Sequence, residues 1–142
     1  MKILLAVDGS KASLDAVKNV IDHVGEFREA PQIELVTVHR PVPPVRGLGA
    51  GVGKSQLERY YEEEGEKTLA AAKKLLDAAA IPYQAQVLVG DPAESIVKQC
   101  RKARCDLVAL GAKGRSALGD MLLGSTASKV LHLSDIPVLL IK

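Results

Sequence analysis

Five short apolar segments recur along the chain, separated by longer stretches with helical periodicity. They are Ile3–Val7, Ile33–Val38, Ala85–Val89, Leu107–Leu110 and Val138–Ile141. Each segment is nearly continuous in aliphatic residues, which is typical of strands that are buried on both faces of a parallel sheet. The pattern therefore predicts five parallel strands.

The stretches between these segments predict four helices. After Ser10, a candidate N-cap, apolar residues recur at helical intervals. These are Leu14, Val17, Ile21 and Val24. Leu57–Ala80 is long and alanine-rich, with charges on one side, and Ser125–Leu133 predicts the last helix. In GDPAESIVKQC, Asp91 can cap a helix and Glu94 can reach back to it in a capping box.

Strands that alternate with helices indicate a parallel sheet covered by helices on both faces. The 142 residues are expected to form one doubly wound α/β domain, residues 1–142. Sheets of this kind bind ligands beyond the carboxyl ends of their strands, where the winding direction reverses. We therefore expect functional residues in the loops that follow Val7, Val38 and Leu110.

Charge and composition exclude several classes of partner. The net charge is +2, and the basic residues are scattered rather than clustered. With three Tyr, one Phe and no Trp, the chain lacks material for stacking platforms, so a nucleic-acid partner is not expected. The first apolar run, Ile3–Val7, is too short for a signal sequence or a membrane span. Cys100 and Cys105 are interpreted as small buried side chains rather than as a disulfide. We expect a cytoplasmic protein.

The segment GLGAGVGKSQ, Gly47–Gln56, is similar to a phosphate-binding P-loop but fails its spacing. The P-loop pattern requires glycine five residues before Gly53, and that position is Leu48. Pro43 and Pro44 also separate the segment from the preceding strand. The prediction is a flexible Pro/Gly loop at about 41–56; a lid or a contact with a partner protein is the alternative interpretation.

A second glycine-rich segment, GAKGRSALGDMLLGSTASKV, directly follows the fourth predicted strand. Gly111 and Gly114 bracket Ala112 and Lys113, and Gly124, Ser125 and Thr126 open the last helix. Glycines let backbone N–H groups approach an anion, a helix N-terminus attracts phosphate, and Lys113 and Arg115 add positive charge. Taken alone, these residues fit either a phosphate site or glycine turns followed by a Ser/Thr cap.

The spacing G-2x-G-9x-G-[ST], formed by Gly111, Gly114, Gly124 and Ser125, resembles the ATP-binding signature of the universal stress proteins. The resemblance extends over the whole chain. It includes ILLAVDGS, LVTVHRP, GDPAESIVKQC, DLVALGAKGRS and IPVLLIK. It implies the strand order 3-2-1-4-5, with the switch point between the first and fourth strands.

The resemblance also implies a ligand and a set of contacts. The ligand would be ATP, AMP or another adenine nucleotide, with Mg²⁺, and the base would lie near the end of the second strand. At the position of Arg40, relatives more often carry a small apolar residue. In this chain the Arg40 side chain would instead stack on the base or reach a phosphate. Asp8 would lie near the ribose or a phosphate-bound Mg²⁺, or else serve as a helix partner beside Ser10. The residues implied at the nucleotide are Ala6, Asp8, Arg40, Leu110, Gly111, Ala112, Gly114, Arg115, Gly124, Ser125 and Thr126.

The function implied is that of a nucleotide-dependent stress-response or signalling module that dimerises through Pro137–Ile141. No catalytic residue is identified, because no side chain stands out as a base, and His39 is interpreted as structural. A slow ATP hydrolase of the same fold, or a family member that works by protein contacts without nucleotide, remains as an alternative. The sequence does not identify the signalling partner.

Overall fold

The computed structural model describes residues 1–42, 53–114 and 123–142. Its elements alternate between strand and helix along these residues. They are β1 (Lys2–Ala6), α1 (Lys11–Asp22), a 3₁₀ turn (Val24–Glu26), β2 (Gln32–His39), α2 (Lys54–Ala78), β3 (Tyr83–Val89), α3 (Pro92–Ala103), β4 (Leu107–Gly111), α4 (Ser125–Leu133) and β5 (Val138–Ile141). No helix in these three ranges is long and apolar enough to cross a membrane.

The strands form one parallel sheet in the order β3-β2-β1-β4-β5, which confirms the predicted topology. β1 is central, and Ile3 is aligned with Ile33 of β2 on one side and Leu107 of β4 on the other. The chain winds outward from β1 through β2 to β3, then returns past β1 to β4 and β5. The reversal lies between β1 and β4, so the carboxyl ends of these strands frame the expected ligand position.

Two apolar layers hold the helices on opposite faces of this sheet, which confirms a doubly wound α/β domain. One layer joins Leu5 and Leu35 of the sheet to Leu69 of α2. The other joins Val36 to Val97 of α3 and Val130 of α4. Successive side chains of a strand point to opposite faces, and so a continuous apolar run such as ILLAV supplies both layers.

Several predicted boundaries are displaced by a few residues. β1 ends at Ala6, so Val7 lies just beyond it, and α1 ends at Asp22, with Val24 in the 3₁₀ turn. α2 begins at Lys54, so the last three residues of the predicted flexible loop, residues 54–56, are helical. The central part of that loop, residues 43–52, lies outside the described residues.

Capping explains two of the helix starts. The Ser10 hydroxyl accepts a hydrogen bond from the Ser13 amide at 3.2 Å, and the Asp91 carboxylate accepts one from the Glu94 amide at 3.2 Å. The predicted capping box at α3 is only half formed. The carboxylate of Glu94 does not reach back to Asp91; it accepts a hydrogen bond from Lys129 Nζ at 2.9 Å, because α4 lies beside it.

A buried acidic side chain was not anticipated. Glu34 lies within β2, is 2% exposed, and accepts hydrogen bonds at Oε1 from Gln86 Nε2 at 2.7 Å and Gln99 Nε2 at 2.9 Å. The two cysteines are buried free thiols, as predicted. Burial raises the pKa of both, that of Cys105 to about 12, so these thiols are poor nucleophiles.

Candidate functional site

A cavity of about 310 Å³ lies at the carboxyl ends of β1, β2 and β4, where the winding direction reverses. Its size is within the range of small-molecule sites. Nine of the predicted site residues line it: Ala6, Asp8, Arg40, Leu110, Gly111, Gly114, Gly124, Ser125 and Thr126. Ala112 does not line the cavity, and Arg115 lies outside the described residues.

The side of the cavity against the sheet and α3 is apolar. Ala6 and Leu110 contribute to it as predicted, together with Val36, Val38 and Ile96. The sequence did not single out Val36, Val38 or Ile96. Their strand and helix patterns mark them as core, and only the assembled sheet shows that they also border an open space.

The end of β2 offers unpaired backbone groups to this cavity. The Val7 amide donates to the carbonyl of Val36 at 2.9 Å on the β1 side, and the Gly90 amide donates to the carbonyl of His39 at 2.9 Å on the β3 side. Neighbouring residues of a strand present these groups to alternate sides, so the N–H and C=O of Arg40 are directed to the β1 side. β1 has already ended there, and no described residue forms a hydrogen bond with them.

Gly114 and Gly124 of the second segment lie where an added side chain would meet close neighbours. A Cβ placed on Gly124 would lie 3.3 Å from the Gly114 amide nitrogen, and one on Gly114 would lie 3.0 Å from Asp8 Oδ2. The Gly124 amide donates to the carbonyl of Ala112 at 2.7 Å, and the Ala112 amide donates to the carbonyl of Ile141 at 2.7 Å. The backbone of Ala112 therefore links the segment to α4 and β5 by hydrogen bonds, while Gly114 and Gly124 border the cavity.

Gly111 has a different structural reason. A Cβ at this position would lie 2.8 Å from the backbone carbon and oxygen of Ala12 in the first turn of α1. Backbone atoms at that distance do not move aside as a flexible side chain would. Gly111 lines the cavity, but its lack of a side chain is already explained by the packing of β4 against α1.

Within residues 1–42, 53–114 and 123–142, no side chain caps the N-terminus of α4. Its N-cap is Gly124, and the following Ser125 and Thr126 line the cavity. Side chains of Ser10 and Asp91 cap α1 and α3, whereas α4 has neither a cap nor an acidic residue in its first turn. The first amides of a helix have no intrahelical acceptor, so this end favours an anion in the cavity.

Asp8 lines the cavity and lies two residues beyond the end of β1. Its Oδ1 accepts a hydrogen bond from the Ser10 amide at 2.9 Å, and its own amide donates to Ser13 Oγ at 3.3 Å. Oδ2 is directed toward Gly114. One oxygen therefore stabilises the turn before α1, as one sequence interpretation expected, and the other faces the glycine segment.

Four charged side chains, Arg40, Asp91, Glu94 and Lys129, form a group at the mouth of the cavity that we call the mouth cluster. Arg40 Nη1 lies 3.6 Å from Asp91 Oδ2, and Lys129 Nζ lies 3.0 Å from Asp91 Oδ1 and 2.9 Å from Glu94 Oε1. The hydrogen bond from Lys129 and the Glu94 amide hold the pKa of Asp91 below its ordinary value, and the two carboxylates raise the pKa of Lys129. Of these four residues, only Arg40 was predicted at the site from the sequence.

His39 borders the cavity on the other face of β2. Its ring lies against Tyr61, with centroids 6.2 Å apart, and the Tyr61 hydroxyl accepts a hydrogen bond from the Val42 amide at 2.7 Å. His39 Nε2 is buried and has no hydrogen-bond partner among the described residues. Those residues contain no group of three or more His, Cys, Asp or Glu side chains arranged to hold a metal ion.

The family model of the universal stress proteins matches residues 1–142. The chain belongs to the universal stress protein family. Universal stress protein MJ0531 of Methanocaldococcus jannaschii is 33% identical over 141 residues, which cover 99% of this chain and 81% of that protein. A universal stress protein of Thermus aquaticus is 32% identical over 147 residues, which cover 99% of this chain and 97% of that one.

Solved structures show the same fold. The structure of MJ0577, another universal stress protein of M. jannaschii, superposes with a TM-score of 0.83 at 27% identity, covering 99% of this chain and 94% of that one.

Three more distant structures contain nucleotides. A universal stress protein in complex with cAMP has a TM-score of 0.69 at 22% identity, covering 99% of this chain and 95% of that one. The Archaeoglobus fulgidus protein with dAMP has a TM-score of 0.66 at 19% identity, covering 100% and 98%. An Arabidopsis thaliana protein with AMP bound has a TM-score of 0.70 at 16% identity, covering 100% and 91%.

Proposed function

We propose that this universal stress protein binds an adenine nucleotide, ATP with Mg²⁺, and acts as a nucleotide-dependent stress-response or signalling module in the cytoplasm. The observation that carries the proposal is a single cavity with an apolar compartment at the β2 side and an uncapped helix N-terminus at the β4 side. Adjacent strands are about 4.8 Å apart, so the ends of β2 and β4 are separated by about 10 Å, which suits a base at one end and phosphates at the other.

At the β2 side, the Arg40 backbone supplies one donor and one acceptor beside an apolar wall. Adenine carries the complementary pair along one edge, a ring nitrogen acceptor and an exocyclic amino donor. Guanine has the opposite arrangement at the corresponding edge, so the same groups would discriminate against it. An apolar cleft with a few placed polar groups is the usual form of such a site.

At the β4 side, the first amides of α4, the Gly114 amide and the hydroxyls of Ser125 and Thr126 would hold the phosphates. Lys113 lines the same part of the cavity and would add positive charge. Arg115 is proposed from the sequence alone as a further cation. Relatives of the same fold that hold cAMP, dAMP or AMP support an adenine nucleotide as the ligand class.

Asp8 fits a role toward Mg²⁺ because proteins commonly hold this ion through one or two carboxylates, with phosphate oxygens and water completing its shell. Oδ2 faces the glycine segment, where the phosphates are proposed. The ion would neutralise phosphate charge there. Asp8→Asn is expected to weaken ATP binding in the presence of Mg²⁺ and to change it little when the ion is chelated.

Calorimetric titration of the protein with ATP, AMP and cAMP, each with and without Mg²⁺, tests the proposal. We expect saturable binding and an increase in Tm for at least one of these nucleotides. No heat and no thermal shift with all three would refute nucleotide binding and favour a member that works through protein contacts. Prolonged incubation with ATP, followed by quantification of ADP and AMP, tests the slow-hydrolase alternative.

We further propose that two copies pair through Pro137–Ile141. β5 is an edge of the sheet, and Leu139 is 40% exposed on it. An exposed apolar edge strand favours pairing with another chain. Leu139→Lys is expected to shift the molar mass measured by light scattering from dimer to monomer. Val89→Lys is a matched control, because Val89 is 47% exposed on β3 at the opposite edge.

A further inference from the structure

The Arg40 side chain occupies a defined place at the mouth of the cavity. Arg40 directly follows β2, where Val38 and Val36, two and four residues earlier, face α3 and α4. By the alternation of side chains along an extended chain, Arg40 points to this same face, outward of the apolar compartment. Its guanidinium then meets Asp91 at the N-terminus of α3.

Asp91 is well suited to hold that guanidinium. Its Oδ1 accepts hydrogen bonds from Lys129 and from the Glu94 amide, which fixes the carboxylate, and Oδ2 faces Arg40. Asp91 therefore spans the gap between α3, α4 and the end of β2. A phosphate that recruited Arg40 would have to compete with a carboxylate that is already in place, whereas a base bound beneath the guanidinium would not.

We infer that the Arg40 guanidinium, held by Asp91, covers the outer face of the bound base and makes Arg40 a determinant of affinity for the base rather than for the phosphates. This inference rests on the proposed function, because it assigns the base to the apolar compartment at the end of β2. A guanidinium over an aromatic ring gains from both stacking and cation–π attraction. Asp91 acts as the positioning residue, since it touches Arg40 and not the base.

Adenosine separates the two roles because it carries the base without phosphate. Affinities of adenosine, AMP and ATP would be measured by calorimetry for the unaltered protein and for Arg40→Met, which keeps an unbranched apolar chain and removes the guanidinium. We expect all three affinities to fall by the same factor, about 2- to 30-fold. Arg101→Met is the matched control, because Arg101 is 55% exposed and pairs with Asp135 elsewhere on the surface, against 68% for Arg40.

Asp91→Asn tests the positioning role. Asparagine caps a helix as well as aspartate does, so α3 keeps its cap while the carboxylate charge is lost. We expect a smaller loss than for Arg40→Met, again equal for the three ligands, and the unliganded Tm, measured in parallel, reports the stability that the lost carboxylate contributed. A structural defect alone would lower the Tm without reducing the affinities for adenosine, AMP and ATP by the same factor.

Two outcomes overturn the inference while leaving the proposed function intact. One is a loss that grows from adenosine to ATP, which would show that Arg40 serves the phosphates. The other is unchanged affinity for all three ligands, which would show that Arg40 only forms a surface ion pair. If the unaltered protein binds none of the three, the proposed function itself fails, and the inference fails with it.

Discussion

Replacing Gly124 by alanine tests whether the N-terminus of α4 is an anion site. The backbone at Gly124 has φ −72° and ψ 157°, which any residue adopts, so alanine introduces no backbone strain. Its methyl group, however, would lie 3.3 Å from the Gly114 amide nitrogen and 3.4 Å from the Ala112 carbonyl oxygen. These contacts are tight and involve backbone atoms, so the glycine segment must shift by a few tenths of an ångström. The added methyl group then covers the Gly114 amide.

The expected loss of ATP affinity follows from the hydrogen bond to phosphate that the substitution removes. A hydrogen bond from an amide to a charged acceptor contributes about 1.5–3 kcal/mol, so removing one phosphate contact should weaken ATP binding by about 10- to 150-fold. Adenosine lacks the phosphates and should lose far less. Calorimetric titration of both ligands measures the difference directly.

Gly53→Ala provides a matched control within the same chain. Gly53 is also the N-cap of a helix, α2, with φ −60° and ψ 150°. Among the residues that the structure describes, no side chain caps this helix, and a Cβ on Gly53 would meet only Ser55 Oγ at 3.8 Å. Both substitutions carry the cost of a poorer N-cap, about 1 kcal/mol, but only Gly124 borders the cavity. Equal ATP affinities for the two variants would refute the assignment of the phosphates to the N-terminus of α4.

Three further predictions concern the rest of the fold. Gly65→Ala forces a methyl group against the methyl carbons of Val87 and should lower the free energy of unfolding in urea by about 1–3 kcal/mol. Adding Val87→Ala should recover part of that loss; an additive double variant would contradict the steric explanation. Glu34→Leu leaves the buried Gln99 amide without its acceptor and should cost about 1–3 kcal/mol, whereas Glu34→Gln, which keeps an acceptor oxygen, should cost less. The pKa of Asp91 lies below its ordinary 3.8, so the stability that its carboxylate contributes is present above about pH 4 and disappears as the pH falls through the folded-state pKa. Urea unfolding of the unaltered protein and Asp91→Asn should therefore differ at pH 7 and converge near pH 2; a constant difference would contradict the linkage.

The strands could be predicted because they follow from local patterns, whereas their order, 3-2-1-4-5, was implied by the resemblance to the universal stress proteins. ILLAV and LVAL are continuous apolar runs that only a sheet covered on both faces buries, and right-handed crossovers then limit the topology. The helix start at Asp91 was predictable for the same reason, since capping depends on adjacent residues. The start of α2 at Lys54 was not, because a glycine N-cap gives a weak local signal.

Contacts between elements that are distant in sequence could not be predicted. Glu34 accepts a hydrogen bond from Gln99, 65 residues later, and no local pattern near either residue predicts this contact. Glu94 was expected to serve its own helix cap, but α4 brings Lys129 beside it. The mouth cluster likewise forms only when the end of β2 meets α3 and α4, and so Arg40 was the one member of it in the predicted site.

The three glycines of the signature show that one motif can combine two kinds of constraint. Gly111 is required where β4 packs against the backbone of α1, a demand that exists whether or not a ligand is bound. Gly124 is different, because its backbone angles suit any residue and a side-chain cap there would satisfy an amide of α4, as Ser10 does for α1. The nearby Gly114 and Ala112 backbones also disfavour a side chain at Gly124, so packing and ligand binding both act on this position. Substitutions at Gly114 and Gly124, which border the cavity, are therefore more direct tests of nucleotide binding than a substitution at Gly111, which would disrupt the packing of β4 against α1.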